Sequence, residues 1–151
     1  MRPMQADLLL TACSSTRWAQ LVADSGPFAT TDALLEAAER AFDQLGPDDW
    51  HQGISGHARI AEVPSDDARE AQEQAGIEGA DPETLAALHA GNAAYEARFG
   101  YMFLIRASGR SAAEMLAALN DRLGNPPETE FRIATEQLRE ITRLRLRELV
   151  S

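Results

Sequence analysis

Thr31-Asp32-Ala33-Leu34-Leu35-Glu36-Ala37-Ala38-Glu39-Arg40-Ala41-Phe42-Asp43-Gln44-Leu45, closed by Gly46-Pro47, is the stretch that decides the fold class. Its apolar residues Leu34, Leu35, Ala38, Ala41, Phe42 and Leu45 fall at i, i+1, i+4, i+7, i+8 and i+11, which is one face of a helix. Thr31-Asp32 supplies the opening and Gly46-Pro47 the stop, because glycine and proline end a helix by conformation and by a missing N–H.

The same punctuation recurs on both sides. Met4–Ala12 and Ser15–Asp24 are shorter helical candidates, the second starting at a Ser/Thr run suited to capping. Trp50 and His51 lie in a short helix, and Arg69–Gly76 forms another. Pro82 begins a helix carrying Leu85, Leu88, Tyr95 and Phe99, stopped by Gly100. Ser111-Ala112-Ala113-Glu114 is a capping box, and the helix behind it shows Met115, Leu119 and Leu123 before Gly124. After Asn125-Pro126-Pro127, a last helix to about Val150 places Phe131, Ala134, Leu138, Ile141 and Leu149 on one face. Two stretches resist this reading. Tyr101–Arg106 is a short apolar run that fits an extended segment, and Ile54–Asp67 is a long irregular connection of the kind that is functional or disordered. Repeated strands, which a parallel sheet needs, are lacking. The expectation is an all-α, single-domain bundle over residues 1–151, with roughly seven to nine helices.

Composition narrows the functional classes. The formal net charge of −10 argues against non-specific nucleic-acid binding, which rests on Lys and Arg neutralising phosphates. With 44% apolar residues, no run approaches the roughly 18 that a membrane span needs. Met1–Leu10 holds one early Arg and only a short apolar patch, so a cytoplasmic chain without a signal peptide is expected. A single cysteine, Cys13, excludes an internal disulfide framework and a cysteine metal cluster. His51, His57 and His89 form no H-x-x-x-H pair, so no metal site is expected, and no phosphate-binding glycine loop is present.

His57 sits in the irregular loop Ile54-Ser55-Gly56-His57-Ala58-Arg59-Ile60-Ala61-Glu62. A loop histidine on a helical scaffold suits acid–base work, since its pKa lies near neutrality. A solvated loop histidine is the competing reading. Glu73-Gln74 follows in a short helix, where it is either an exposed polar face or a carboxylate and an amide directed at a polar substrate. Cys13 with Ser14 and Ser15 lies at a helix start, where capping and packing account for it better than nucleophilic chemistry.

Several segments, in order, resemble the 2-oxo-4-hydroxy-4-carboxy-5-ureidoimidazoline (OHCU) decarboxylase family of urate degradation. Ala12-Cys13-Ser14-Ser15-Thr16-Arg17-Trp18 is similar to the family's C-C-G-S-x-x-W, and Gly26-Pro27-Phe28 with the helix ending at Leu45 to R-P-F-x-x-x-x-x-L-x-x-A. His57-Ala58-Arg59-Ile60-Ala61 stands where the family has H-P-x-I-G, and Glu73-Gln74-Ala75-Gly76 at the end of S-x-x-E-Q-x-G. Residues 92–105, from Asn92 through Tyr95, Phe99 and Gly100 to Ile105, resemble N-x-x-Y-x-x-x-F-G-F-x-F-V-I. Gly109-Arg110-Ser111, Arg122-Leu123-Gly124-Asn125 and Glu140–Leu146 complete the match.

The resemblance implies a homodimeric all-helical enzyme that decarboxylates OHCU to (S)-allantoin without a cofactor. His57 and Glu73 would be catalytic, and Gln74, Ala58, Glu70, Phe103, Ile105 and Arg110 would bind the small ureidoimidazoline substrate, with Arg59 and Arg106 as further charge partners. Three positions depart from the pattern: Ala58 for proline, Ala61 for glycine, and Glu70 for serine. At Ala61 any positive φ becomes costly, and Glu70 puts a carboxylate beside a site meant for an anion. The alternative is a catalytically altered or inactive paralogue that binds a related small ureide or imidazolone acid.

Overall fold

Short polar side chains set the helix starts. Ser15 accepts from the Trp18 N–H, Thr30 from Ala33, Asp67 from Glu70, Asp81 from Thr84 and Ser111 from Glu114, each satisfying a donor that the first helical turn leaves unpaired. The computed structural model describes residues 3–64 and 66–150; Met1 and Arg2 of the expected N-terminal reading, and Ser65 of the expected loop, lie outside them. Among the described residues are eight α-helices, one 3-10 turn and no strand, as the all-α expectation had it. They are α1 (Ala6–Leu9), α2 (Thr16–Ser25), α3 (Thr31–Phe42), α4 (Pro47–Ser55), α5 (Ala68–Glu73), α6 (Pro82–Phe99), α7 (Ala112–Leu123) and α8 (Pro127–Val150), with the 3-10 turn at Ala75–Ile77. The chain divides into two compact units, one of residues up to Gly56 with those from Leu138 on, the other His57–Gln137.

In the first unit Leu9, Trp18, Val22, Leu34, Phe42, Ile54, Leu138 and Leu146 are buried. Each such side chain contributes about 1.5–3 kcal/mol of transfer free energy. Trp18, Phe42 and Trp50 stack in series with ring centroids 5.3 and 5.2 Å apart. Arg139 lies over the Phe42 and Trp50 rings while pairing with Glu39 and Asp43, both at 2.7 Å. Gly53 lets α4 approach α8: a Cβ there would stand 2.8 Å from the Leu138 side chain. Cys13 is buried beside it, and burial pushes its thiol pKa up to about 11, the residue packing as a small hydrophobe.

The structure ends α3 at Phe42, three residues short of the expected Leu45, because Gln44 and Leu45 donate to Ala41 and Phe42, closing the end as tighter i→i−3 turns. It also carries α4 through Ile54 and Ser55, so the irregular connection starts later than expected.

The second unit is built on α6 and α7. Their approach depends on Gly91, where a Cβ would come within 2.4 Å of Leu119 Cδ2. Leu88, Tyr95, Phe103, Ile105, Met115 and Leu119 form the core, which Ile60 of the loop joins. Gly100 closes α6 in the left-handed conformation, φ 83°. From there residues 101–106 run without helix or strand pairing, and side chains take up some of the backbone groups that this leaves. Arg122 Nη1 donates to Leu104 O at 2.8 Å, and the Arg106 N–H donates to Gln137 Oε1 at 2.8 Å. Arg122 in turn pairs with the fully buried Glu130 at 2.7 Å, which also accepts from the Tyr95 hydroxyl and from Asn125 Nδ2. Burial, reinforced by Glu130, pushes the Tyr95 phenol pKa well above its usual value.

Candidate functional site

The loop between α4 and α5 lacks regular structure, so other groups must hold it. Asn92 does so from the buried face of α6, in register with Leu88 and Tyr95 at i−4 and i+3. Its Nδ2 donates to Ile60 O and to Glu62 Oε2, both at 2.9 Å. His89, one turn earlier on α6, bonds Ala61 O through Nε2 at 3.0 Å. Arg59 makes a two-pronged contact with Glu96, 2.8 and 2.7 Å, which holds the Glu96 carboxyl below its usual pKa.

Gln74, at the end of α5, completes the brace. Its Oε1 accepts from the Ala61 N–H at 3.0 Å, and its Nε2 reaches Ala58 O at 3.5 Å and Arg59 O at 3.4 Å. Residue 61 thereby sits in the left-handed region, φ 65°, the one non-glycine among the described residues with positive φ. The cost expected of alanine at this position is therefore present.

This bracing carries His57 out of solvent: its side chain is 4% exposed. Nδ1 lies 3.7 Å from Oε1 of Glu70, whose side chain is 9% exposed. The same Oε1 accepts from the Ala58 N–H at 3.4 Å. The arrangement is a buried imidazole facing a buried carboxylate, whose oxygen also takes the Ala58 N–H. A protonated imidazole here lies within ion-pair range of that carboxylate. It can hold or deliver one proton near neutral pH.

Of the residues expected in the site, His57, Ala58, Glu70 and Gln74 come together in this way. Glu73 is half-buried in the last turn of α5. Phe103 and Ile105 are buried in the core shared with Ile60 rather than displayed on a surface, Phe103 lying under the Arg122 guanidinium at 4.5 Å. Arg110 is half-buried and turns back on its own segment, its Nε donating to Arg106 O at 2.7 Å. Next to it the 3-10 turn is tight, since a Cβ on Gly76 would meet Arg110 O at 1.9 Å. Asn92 was given no role by sequence reasoning, although an amide on the otherwise apolar Leu88–Tyr95 face is a legible signal. Among the described residues, no group of three or more His, Cys, Asp or Glu is placed to hold a metal ion. No helix of the described residues is long and apolar enough to cross a membrane.

The family model for OHCU decarboxylase matches residues 2–147. The chain belongs to the OHCU decarboxylase family. It is 34% identical over 146 residues to the uric acid degradation bifunctional protein TTL of Arabidopsis thaliana, covering 92% of this chain and 45% of that protein. It is 33% identical to the OHCU decarboxylase of Amia calva, over 79% of this chain and 65% of that one. The chain thus spans less than two thirds of either relative. A crystal structure of an OHCU decarboxylase in the presence of (S)-allantoin superposes with a TM-score of 0.85 at 33% identity, covering 95% of this chain and 96% of the other. Ala58, Ala61 and Glu70, the three positions at which the sequence reading expects departures, all fall on the braced loop or on the carboxylate beside it.

Proposed function

We propose that this chain decarboxylates OHCU to (S)-allantoin and CO2 in urate degradation. The observation that carries the reading is the buried His57, held beside a carboxylate on a braced loop, in a chain of the OHCU decarboxylase family. The similarity to an OHCU decarboxylase structure obtained with (S)-allantoin supports it.

The reaction breaks the bond between the ring carbon and its carboxylate. The electron pair moves toward the adjacent ring imine and CO2 leaves; the hydroxyl-bearing carbon becomes a carbonyl as its O–H proton is lost, and the neighbouring ureido-bearing carbon takes a proton on one face. The substrate supplies its own electron sink, and no cofactor is part of the proposal. The protein must hold the carboxylate out of the ring plane, exclude water and direct protonation. His57 is assigned to steering the carboxylate or hydroxyl and holding a proton there, with Glu73 anchoring ureido or ring N–H donors. Gln74 and the Ala58 backbone shape the loop, and the backbone around Phe103 to Ile105 is assigned to completing the pocket, with Arg110 offsetting substrate charge. A single domain over residues 1–151, a homodimer and a cytoplasmic location belong to the same proposal.

Glu70 favours a second reading. A buried carboxylate 3.7 Å from the imidazole disfavours an anionic substrate unless His57 is protonated, which points to the alternative in which a related uncharged ureide is bound with altered catalysis. One assay separates the two. OHCU is generated in situ from urate with its two upstream enzymes, and dextrorotatory allantoin is followed by circular dichroism. The decarboxylase reading predicts acceleration that His57→Asn abolishes. No acceleration at micromolar enzyme rejects it in favour of the second reading.

A further inference from the structure

Ala58 and Glu70 are joined through one oxygen. The Ala58 N–H donates to Glu70 Oε1 at 3.4 Å, and that same oxygen lies 3.7 Å from His57 Nδ1. Proline at position 58 has no N–H to give, so the first contact exists only because alanine stands there. Glu70 is itself fixed from below, its N–H donating to Asp67 Oδ1 at 3.0 Å at the start of α5.

We infer that Glu70 is a positioning residue for His57 in this chain, holding the imidazole by its Nδ1 side and keeping it protonated at higher pH than serine would. The inference rests on the assignment of His57 to the reaction. With a carboxylate on the Nδ1 side, the neutral ring keeps its proton on Nδ1 and Nε2 becomes the nitrogen that titrates. The protonated ring and the carboxylate together carry no net charge, which removes the repulsion that a lone buried carboxylate would offer an anionic substrate. Other charged groups of the surrounding elements are already engaged. Arg59 is paired with Glu96, Glu62 accepts from Asn92, His89 bonds Ala61 O, and Asp67 caps Glu70. Arg69 and Glu73 share α5 with Glu70.

The test is two-bond proton–nitrogen NMR on the full chain labelled at histidine, with His57 assigned by loss of its signals in His57→Asn. In the wild type, the neutral ring should be the Nδ1–H tautomer, and its midpoint should lie above the ordinary value of about 6.5. Glu70→Gln, which keeps the shape, should lower the midpoint by about one unit or more. Glu70→Ser should do the same, Glu70→Asp should restore part of the shift, and Ala58→Pro should lower the midpoint less than Glu70→Gln does. A midpoint and tautomer unchanged in Glu70→Gln overturn the inference. The pH at which kcat/KM on OHCU is half-maximal should move with the NMR midpoint. If the midpoint moves but the wild type has no OHCU turnover, the decarboxylase reading fails and the pairing stands.

Discussion

Replacing Ala61 by glycine should stabilise the protein, although it deletes a methyl group from a half-buried site. Ala61 adopts φ 65° because its N–H and C=O are bound by Gln74 and His89, and the loop cannot relax without losing both. A left-handed conformation costs a non-glycine residue roughly 1–2 kcal/mol. Glycine removes that cost but adds about 0.4–1 kcal/mol of conformational freedom to the unfolded chain, and the lost methyl contributes a few tenths more. The balance is a gain of about 0.5 kcal/mol. Ala58, on the same loop but without positive φ, serves as the control. Ala58→Gly has the entropic term without the relief and should lose about 0.4–1 kcal/mol. The two variants should therefore differ by about 1–1.5 kcal/mol, which is roughly 2–5 °C in Tm for a chain of this length. Thermal unfolding followed by far-ultraviolet circular dichroism, with urea titration as a second axis, measures the difference. If Ala61→Gly loses as much stability as Ala58→Gly, no strain is stored at residue 61 and the account of the brace is wrong.

Other outcomes are expected elsewhere in the molecule. Gly76→Ala forces a Cβ to 1.9 Å from Arg110 O, a contact with backbone that no rotamer relieves; urea unfolding should show a loss of about 1–3 kcal/mol, and retention of wild-type stability would refute the close approach. Arg122→Leu leaves Glu130 buried without its cation and Leu104 O without its donor, so equilibrium unfolding should register about 3–5 kcal/mol, and a loss below about 1 kcal/mol would show the pair to be dispensable. Burial raises the Cys13 pKa to about 11, so the folded state favours the neutral thiol. That contribution is complete below the unfolded thiol pKa and is lost as pH rises toward the folded value. Relative to Cys13→Ala, stability should fall by roughly 2–3 kcal/mol between about pH 9 and 11. Equal slopes for the two proteins would contradict it.

What the sequence made legible is local. The Ser111–Glu114 capping box, Pro82 and Pro127 at first helical positions and Gly100 at the end of α6 all act within one turn, and each lies where its residue type demands. The all-α class follows from such signals. The site is built from pairings across the chain, where no periodicity can point: Asn92 reaches back 32 residues to Ile60, and Gln74 13 residues to Ala61. Gln74 illustrates the gap. Its neighbour Glu73 and its family position suggested a substrate contact, while its amide braces the loop that carries His57. The burial of His57 was equally invisible, because Gly, Ser, Asp and Pro around it read as a solvated connection. Comparison of residue types located the exceptional positions nonetheless. The alanine at 61 carries a positive φ, and the glutamate at 70 faces the histidine.

The central claim is that His57 acts on OHCU, and the most direct measurement is the rate of (S)-allantoin formation from enzymatically generated OHCU with wild type and His57→Asn at matched concentration. The account predicts rapid appearance of the dextrorotatory product with the wild type and the uncatalysed, racemic course with the variant, both proteins being equally folded. Wild-type and variant traces that coincide would contradict it.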